Sequence, residues 1–581
     1  MKPIPDAYKK VPMMFRAQVD GRSQLQYLDP EKKPGKRKAG EDQDVELWVD
    51  EWIEKAELIP PDKAEDIQTP TYGAKSYQIS WRFVTNGGQD DGMLRPVIGG
   101  AGIPFYPGSS MKGAFRQACQ QMEQDKQLPA GTCDNYCGSE TDITPGALRF
   151  LGAYPTNDWT EGLLDLVHPQ QGWQVKTLDT KAKPKGESAY AQISLYQPIL
   201  RFAISSSKPL SSEQWQQIWQ IWDRAISAGL GSKVSNGYGQ ISQTSHPVIY
   251  RVKLKGQGQA AKGIDDVGEF RPNIFRAALR GHALRIFGGL TNEDTANQLV
   301  EELFGGVRGQ GTVGLLGLTF HTERLELGIF GSHGYEQPTY DVEGEVTWFC
   351  TQPQPAEQTE ALKKLIEDLM WFAMVFGGFG KSWRRAYHRS FYKEEDYQKL
   401  IGCHWQWTDE LDRKKALQVW KPSKISDFIN SVLESAKTWM QLRGASPNPD
   451  HHAEWREAWH PSRVSIFGRV AKIRDDCVAI NWLHEPYQRK ISTTDKEKTI
   501  KATSVTGKVG KVSQIGCLWH RMYPPKVRLI AKNPQEKPKL ETTNRFLELL
   551  TFFPDDSQAS KDFLQFLKSN PDGFEQLWGD K

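Results

Sequence analysis

Two short stretches carry the residues best suited to chemistry. The first is Ile103-Pro104-Phe105-Tyr106-Pro107-Gly108-Ser109-Ser110-Met111-Lys112-Gly113-Ala114-Phe115-Arg116, and the second is Phe270-Arg271-Pro272-Asn273-Ile274-Phe275-Arg276-Ala277-Ala278-Leu279-Arg280. In the first, a Pro-Gly turn opens a helix, and Ser109 or Ser110 is placed to cap it. A helix start offers unpaired N–H groups and a positive dipole end, which suits an anion. Lys112 and Arg116 stand four residues apart and so share a helical face. Together these features suit a phosphate; the plainer reading is a capped helix with two solvated cations. The second copy keeps the spacing, with Arg271, Asn273, Arg276 and Arg280 as its basic and polar positions.

A glycine-rich segment lies far downstream of each copy. The first runs from Gly229 to Gly239 and includes Gly231, Lys233 and Gly237. The second reads Gly377-Gly378-Phe379-Gly380-Lys381-Ser382-Trp383-Arg384-Arg385. Glycine lets backbone approach a ligand closely. Neither segment ends in the Gly-Lys-Ser/Thr of a nucleotide-binding loop at the required spacing. The order helix, glycine loop, strand also inverts that of a dinucleotide fold. Around the second segment Lys381, Arg384, Arg385, His388 and Arg389 interleave with Trp383, Tyr387, Phe391 and Tyr392. Cations there would neutralise phosphates while rings stack on bases; a basic loop over an aromatic mini-core is the competing reading.

These residues need elements to position them. Strand-like runs at 76–84 and 250–254 precede the two helix starts, and runs at 146–154, 194–204 and 314–327 follow them. Helical patterns lie at 215–226 and 365–374, ahead of the glycine segments. Each half therefore predicts β-α-β-β-α-β, an α+β fold of ferredoxin-like type, whose open antiparallel sheet is a familiar RNA platform. Further on, helices are expected at 426–442, 543–553 and 560–567, and strands at 464–473 and 478–483. The basic run 505–513 is expected to lend the second domain a last strand, and 519–523 to extend an RNA-facing surface.

The chain resembles the RAMP superfamily (repeat-associated mysterious proteins), the ferredoxin-like backbone subunits of type III CRISPR effector complexes. The resemblance rests on Pro107-Gly108-Ser109-Ser110-Met111-Lys112-Gly113-Ala114-Phe115-Arg116 with the late Gly229–Gly239 loop, on Gly146-Ala147-Leu148-Arg149-Phe150, and on segment 163–169. In the second half it rests on 270–280, Leu303-Phe304-Gly305-Gly306 and Gly309-Gln310-Gly311. It covers roughly residues 71–250 and 250–400, and two fused copies suggest the double-backbone subunit of a type III-D variant. The resemblance implies tandem domains, 1–248 with a charged N-terminal extension and 249–581 with an insertion near 400–500 and a helical tail. It implies guide RNA, target RNA and other subunits of the complex as partners. It also implies target cleavage with a divalent cation, Mg or Mn, held by an aspartate in the loop after the first strand. The candidates are Asp90 and Asp91 in one half and Asp265 and Asp266 in the other, although Leu94 holds the place where the family pattern has aspartate. Turn chemistry alone also favours such pairs. A guide-binding scaffold that cuts nothing, and a metal-free guide-processing nuclease, are the alternatives.

Composition sets the bounds. A chain of 581 residues accommodates two or more domains. Lys+Arg is 74 against Asp+Glu 71, a net +3, so any RNA contact must be a local patch. No apolar run reaches membrane-spanning length and the start lacks a signal-peptide pattern, which predicts a cytoplasmic protein. The seven cysteines are scattered, which argues against a disulfide framework. Cys119, Cys133 and Cys137 are three of the four ligands a structural zinc wants; free thiols are the expectation and zinc the alternative. The basic run Lys32–Lys38 is read as a solvated loop, with RNA contact as the alternative.

Overall fold

A computed structural model describes most of residues 65–580 and a short helical piece near 49–56; residues 1–48, 57–64, 168–172, 177–189, 387–402 and 409–421, with shorter loop stretches, lie outside the description. The first unit includes β1 (Tyr72–Gln78), edged by the short strand Ile67–Gln68, and the hairpin β2 (Gly88–Asp90) and β3 (Met93–Arg95). Next come α1 (Gly108–Gln124), β4 (Leu148–Pro155), β5 (Leu164–Val167), β6 (Tyr190–Ile193), β7 (Ile199–Ser206) and α2 (Ser212–Ile226). β7 runs antiparallel between β1 and β4. The strand expected after the glycine loop is reduced to one bridge, Ile79 with Ile241. In β7, Leu200, Phe202 and Ile204 are buried while residues between them are half-buried, the period of a sheet with one covered face. The cover is α1 and α2. Ser211 and Gln214 form a capping box at the start of α2, whose Trp215, Ile218, Trp219, Trp222 and Ile226 face inward at helical spacing. A small second sheet, β2-β3-β6-β5, stands beside it.

The second unit comprises β8 (Val248–Gln259), α3 (Asn273–Leu290), α4 (Glu293–Phe304), β9 (Leu316–Phe330), β10 (Gln337–Cys350), α5 (Ala356–Phe376) and β11 (His404–Trp407). Its sheet order is β9-β10-β8-β11. The edge place beside β8, expected to be filled from 505–513, belongs to β11.

After α6 (Lys424–Leu442), the stretch expected to hold the end of an insertion and a tail builds a third sheet. Its elements are β12 (Ser465–Ala471), α7 (Ala479–His484), β13 (Leu518–Tyr523), β14 (Phe546–Phe552), α8 (Gln558–Lys568) and β15 (Glu575–Trp578). The order β13-β14-β12-β15 repeats that of the second unit: second, third, first, fourth strand. Two expectations are corrected here. Residues 546–552 form a strand rather than a helix, and 479–484 a helix rather than a strand. In β14 every residue from Leu547 to Phe552 is buried, so both faces are covered and no alternation marks it as a strand. The stretch 519–523 is also buried and forms no outward surface. The second and third units share one apolar core, and the first has its own. Helices and antiparallel sheets are thus mixed, as the α+β expectation has it.

Candidate nucleic-acid interface

The helix motif sits where α1 meets β4. Pro107 occupies the N-cap position, and no side chain caps the helix. Ser109 and Ser110 therefore lie inside the first turn, exposed, rather than capping it. Gly108 is required by packing: a Cβ there would stand 2.1 Å from the Phe150 carbonyl oxygen. Lys112 is exposed. Arg116 is half-buried and donates from Nη2 to the Gly138 carbonyl.

The face of the first sheet away from the helices has a clear composition. Pairing sets Arg201 opposite both Ser76 and Tyr154, and Ser205 opposite both Tyr72 and Arg149. Directly opposed residues share a face, so Arg149, Arg201, Tyr72 and Tyr154 lie together, with Ser76, Ala203 and Ser205 between. Arg149 and Tyr154 are exposed, and the Tyr154 ring stacks on Phe105 at 5.3 Å. β1, β4 and β7 contain no carboxylate; at the edge Asp66 accepts from the Ser76 N–H, and Arg201 Nη2 donates to the Glu65 carbonyl. None of the four was a candidate RNA contact in the sequence, although Arg149 lies within the Gly146–Phe150 motif. Their signal was the alternation in 199–206, which puts Arg201 on the side opposite the buried positions.

The matching face of the second sheet is different. Its register rows carry Arg251, Lys253, Lys255 and Arg324, but also Asp341, Glu343 and Glu345. Ion pairs join Arg251 to Glu345 at 3.2 Å, Lys253 to Glu323 at 2.5 Å, and Arg324 to both Glu326 and Asp341. That face offers a phosphate little net attraction.

The first glycine loop closes over a buried polar cluster. Gly229, Gly231, Gly237 and Gly239 all have positive φ, as does Lys233. Gly239 is the tightest, since a Cβ would lie 1.8 Å from the Leu230 carbonyl oxygen. Lys233 Nζ donates to Gln192 Oε1 at 2.5 Å. Burial pushes its ammonium down to about 8, against the pull of Asp165. Asp165, fully buried on β5, accepts from Tyr238 at 2.7 Å and Gln192 at 2.5 Å, and pairs with Arg271 at 3.1 Å. Arg271 also reaches Glu269, which in turn holds Arg82 at 2.7 Å and the Trp81 indole at 2.9 Å. The start of the second helix motif is therefore a joint between the first two units.

Several basic residues of the two motifs are engaged within the protein. Arg271 and Arg276 are buried, and Arg276 donates to the Phe304 carbonyl. Burial and neighbouring Arg280 push Arg276 down to about 9. Arg280 is half-buried and held down by burial, with Glu301 opposing. Asn273 is the first residue of α3 and makes no side-chain cap. In the late loop Lys381 is exposed, whereas Arg384 turns inward to Glu457 and stacks on Trp383 at 4.9 Å. Glu457 has no exposure and is ringed by Arg285, Arg384 and Arg456. Burial raises its pKa, but the three guanidinium groups hold it at about 2. Arg385, His388 and Arg389 lie outside the described residues.

Of the aspartate candidates, Asp90 ends β2 at the hairpin turn, its backbone paired with Met93. Asp91, Asp265 and Asp266 lie outside the described residues. Cys119, Cys133 and Cys137 are buried free thiols, and Cys133 Sγ donates to the Arg116 carbonyl.

No family model matches the chain, and no curated protein matches it. Among solved structures it is similar to a chain of one described as "Type IV-B CRISPR Complex", at 15% identity, covering 29% of this chain and 87% of that one, with a TM-score of 0.19. Among the described residues no helix is long and apolar enough to cross a membrane.

Proposed function

We propose that the chain is an RNA-binding backbone subunit of a type III CRISPR ribonucleoprotein, the fused double-backbone form, built on ferredoxin-like units. It holds guide RNA and the guide–target duplex, works beside other subunits of such a complex, and cuts target RNA with a divalent cation, Mg or Mn. The observation that carries the binding half is the open face of the first sheet. Two arginines and two tyrosines share it, and no acid lies on its strands. Guanidinium groups neutralise phosphates, and tyrosine rings stack on unpaired bases. The exposed turn at Ser109, Ser110 and Lys112 borders that sheet and extends the track. Cleavage falls to the carboxylates of the two loops, Asp90 and Asp91 and Asp265 and Asp266, where a cation would be held.

Ultraviolet crosslinking of bound RNA followed by peptide mass spectrometry tests the binding site. Crosslinks are expected on the strands bearing Tyr72 and Tyr154; crosslinks confined to the second and third units would refute it. Cleavage is tested by mapping target fragments for Asp→Ala changes in each pair, with and without EDTA. Each pair should remove one cut, and EDTA all of them.

A second reading, a guide-binding scaffold that cuts nothing, is favoured by one feature of the second unit. Arg271, Arg276 and Arg384 serve packing, and its sheet face is neutralised by ion pairs. Unchanged fragments from all four aspartate variants would leave this reading standing.

A further inference from the structure

The third unit holds a buried trio that the RNA reading does not use. Cys477 lies just ahead of α7, His520 on β13 and Glu548 on β14, all buried. The Cys477 Sγ is 3.5 Å from His520 Nε2 and 3.4 Å from Glu548 Oε1, and the last two are 3.2 Å apart. Zinc binds sulfur at about 2.3 Å and nitrogen or oxygen near 2.0 Å, so tetrahedral angles separate two ligand atoms by roughly 3.3–3.6 Å. The triangle has the dimensions of one face of a zinc tetrahedron. We propose that Cys477, His520 and Glu548 bind a zinc ion, which clamps β13 and β14 to the start of α7.

Two other uses of these residues fit less well. In a Cys-His-acid nucleophilic triad the thiol and the acid engage opposite ring nitrogens. Here both approach Nε2.

A metal-free hydrogen-bond cluster fits neither His520 tautomer: with Nε2 bare its lone pair faces Glu548 Oε1 at 3.2 Å, and with Nε2 protonated the carboxylate is overfilled. Glu548 would take five donors: Cys477, Ala479 and His520 on Oε1, Arg469 and Val478 on Oε2. A carboxylate offers about four lone-pair sites. A metal displaces the thiol and imidazole protons, and leaves Arg469, Val478, Ala479 and the ion to share those sites. Thiolate and carboxylate together balance the charge of a divalent ion. Thiolate and imidazole ligands select zinc over magnesium, which separates this site from any cation at the aspartate loops. The fourth position goes to water or a further donor.

Elemental analysis of the full chain should find about one zinc that Cys477→Ser or His520→Gln removes. Cys119→Ser should retain it, since the other cysteine cluster lies in the first unit. Zinc that persists in Cys477→Ser and is lost in Cys119→Ser would overturn the proposal. A direct readout that needs no variant is cobalt loading of the wild-type chain. Tetrahedral thiolate ligation gives visible d–d bands and a near-ultraviolet sulfur-to-cobalt band; their absence, with no bound zinc, would equally overturn it. Neither measurement involves RNA, so the result stands apart from the binding proposal.

Discussion

At the residue scale, charge alone misleads about function. Arg271 and Arg276 sit in a motif that suits phosphate, yet both are buried and bonded within the protein. Sequence spacing gave Arg271 a helix-start position but carried no sign of Asp165, more than a hundred residues away in sequence. Breaking a buried ion pair is costly even where Arg271 keeps Glu269, so Asp165→Asn should cost about 3–5 kcal/mol, seen as an earlier urea midpoint. Glu457 gives a prediction with a definite sign. Its folded pKa of about 2 lies below its ordinary 4.5. The stabilisation is thus complete above pH 4.5 and fades as pH falls toward 2, amounting to roughly 3 kcal/mol at neutrality. Denaturation from pH 6 to 3 should show the wild type losing its advantage over Glu457→Gln. Parallel curves would mean that Glu457 titrates normally in the folded state.

At the element scale, glycines decide whether the first unit closes. Gly239→Ala would force a Cβ onto the Leu230 carbonyl at a positive φ. A backbone clash of that kind costs about 1–3 kcal/mol or more, and should lower the thermal midpoint more than Gly237→Ala, where a Cβ meets open space. The elements around α1, β4, β7, α2 and α5 were legible because their apolar periods are clean and their loops carry glycine or proline. The third sheet was not. Phe546–Phe552 is apolar on both sides around a single Glu548, and such a run reads as helix or strand alike. The outward row of the first sheet was legible only in part, since the neighbours of Arg201 are set by pairing with β1 and β4, and sequence does not state register.

At the scale of the whole molecule, the second and third units stand on a common core. Trp519 of β13 packs on Trp383 and Trp459, and Arg521 donates to the Gly377 and Cys403 carbonyls at 3.3 and 3.1 Å. A chain cut after residue 460 should therefore leave the second unit loosely packed, with weak near-ultraviolet circular dichroism and strong binding of a hydrophobic dye. RNA binding is proposed for the first unit, on the open face of its sheet. The most direct test is the affinity for single-stranded RNA as a function of salt, for the wild type and for the double variant Arg149→Ala with Arg201→Ala. Two lost phosphate contacts should weaken binding for every RNA sequence alike and reduce the slope of log affinity against log salt by about 1.4. An unchanged affinity and slope in a folded double variant would contradict the account.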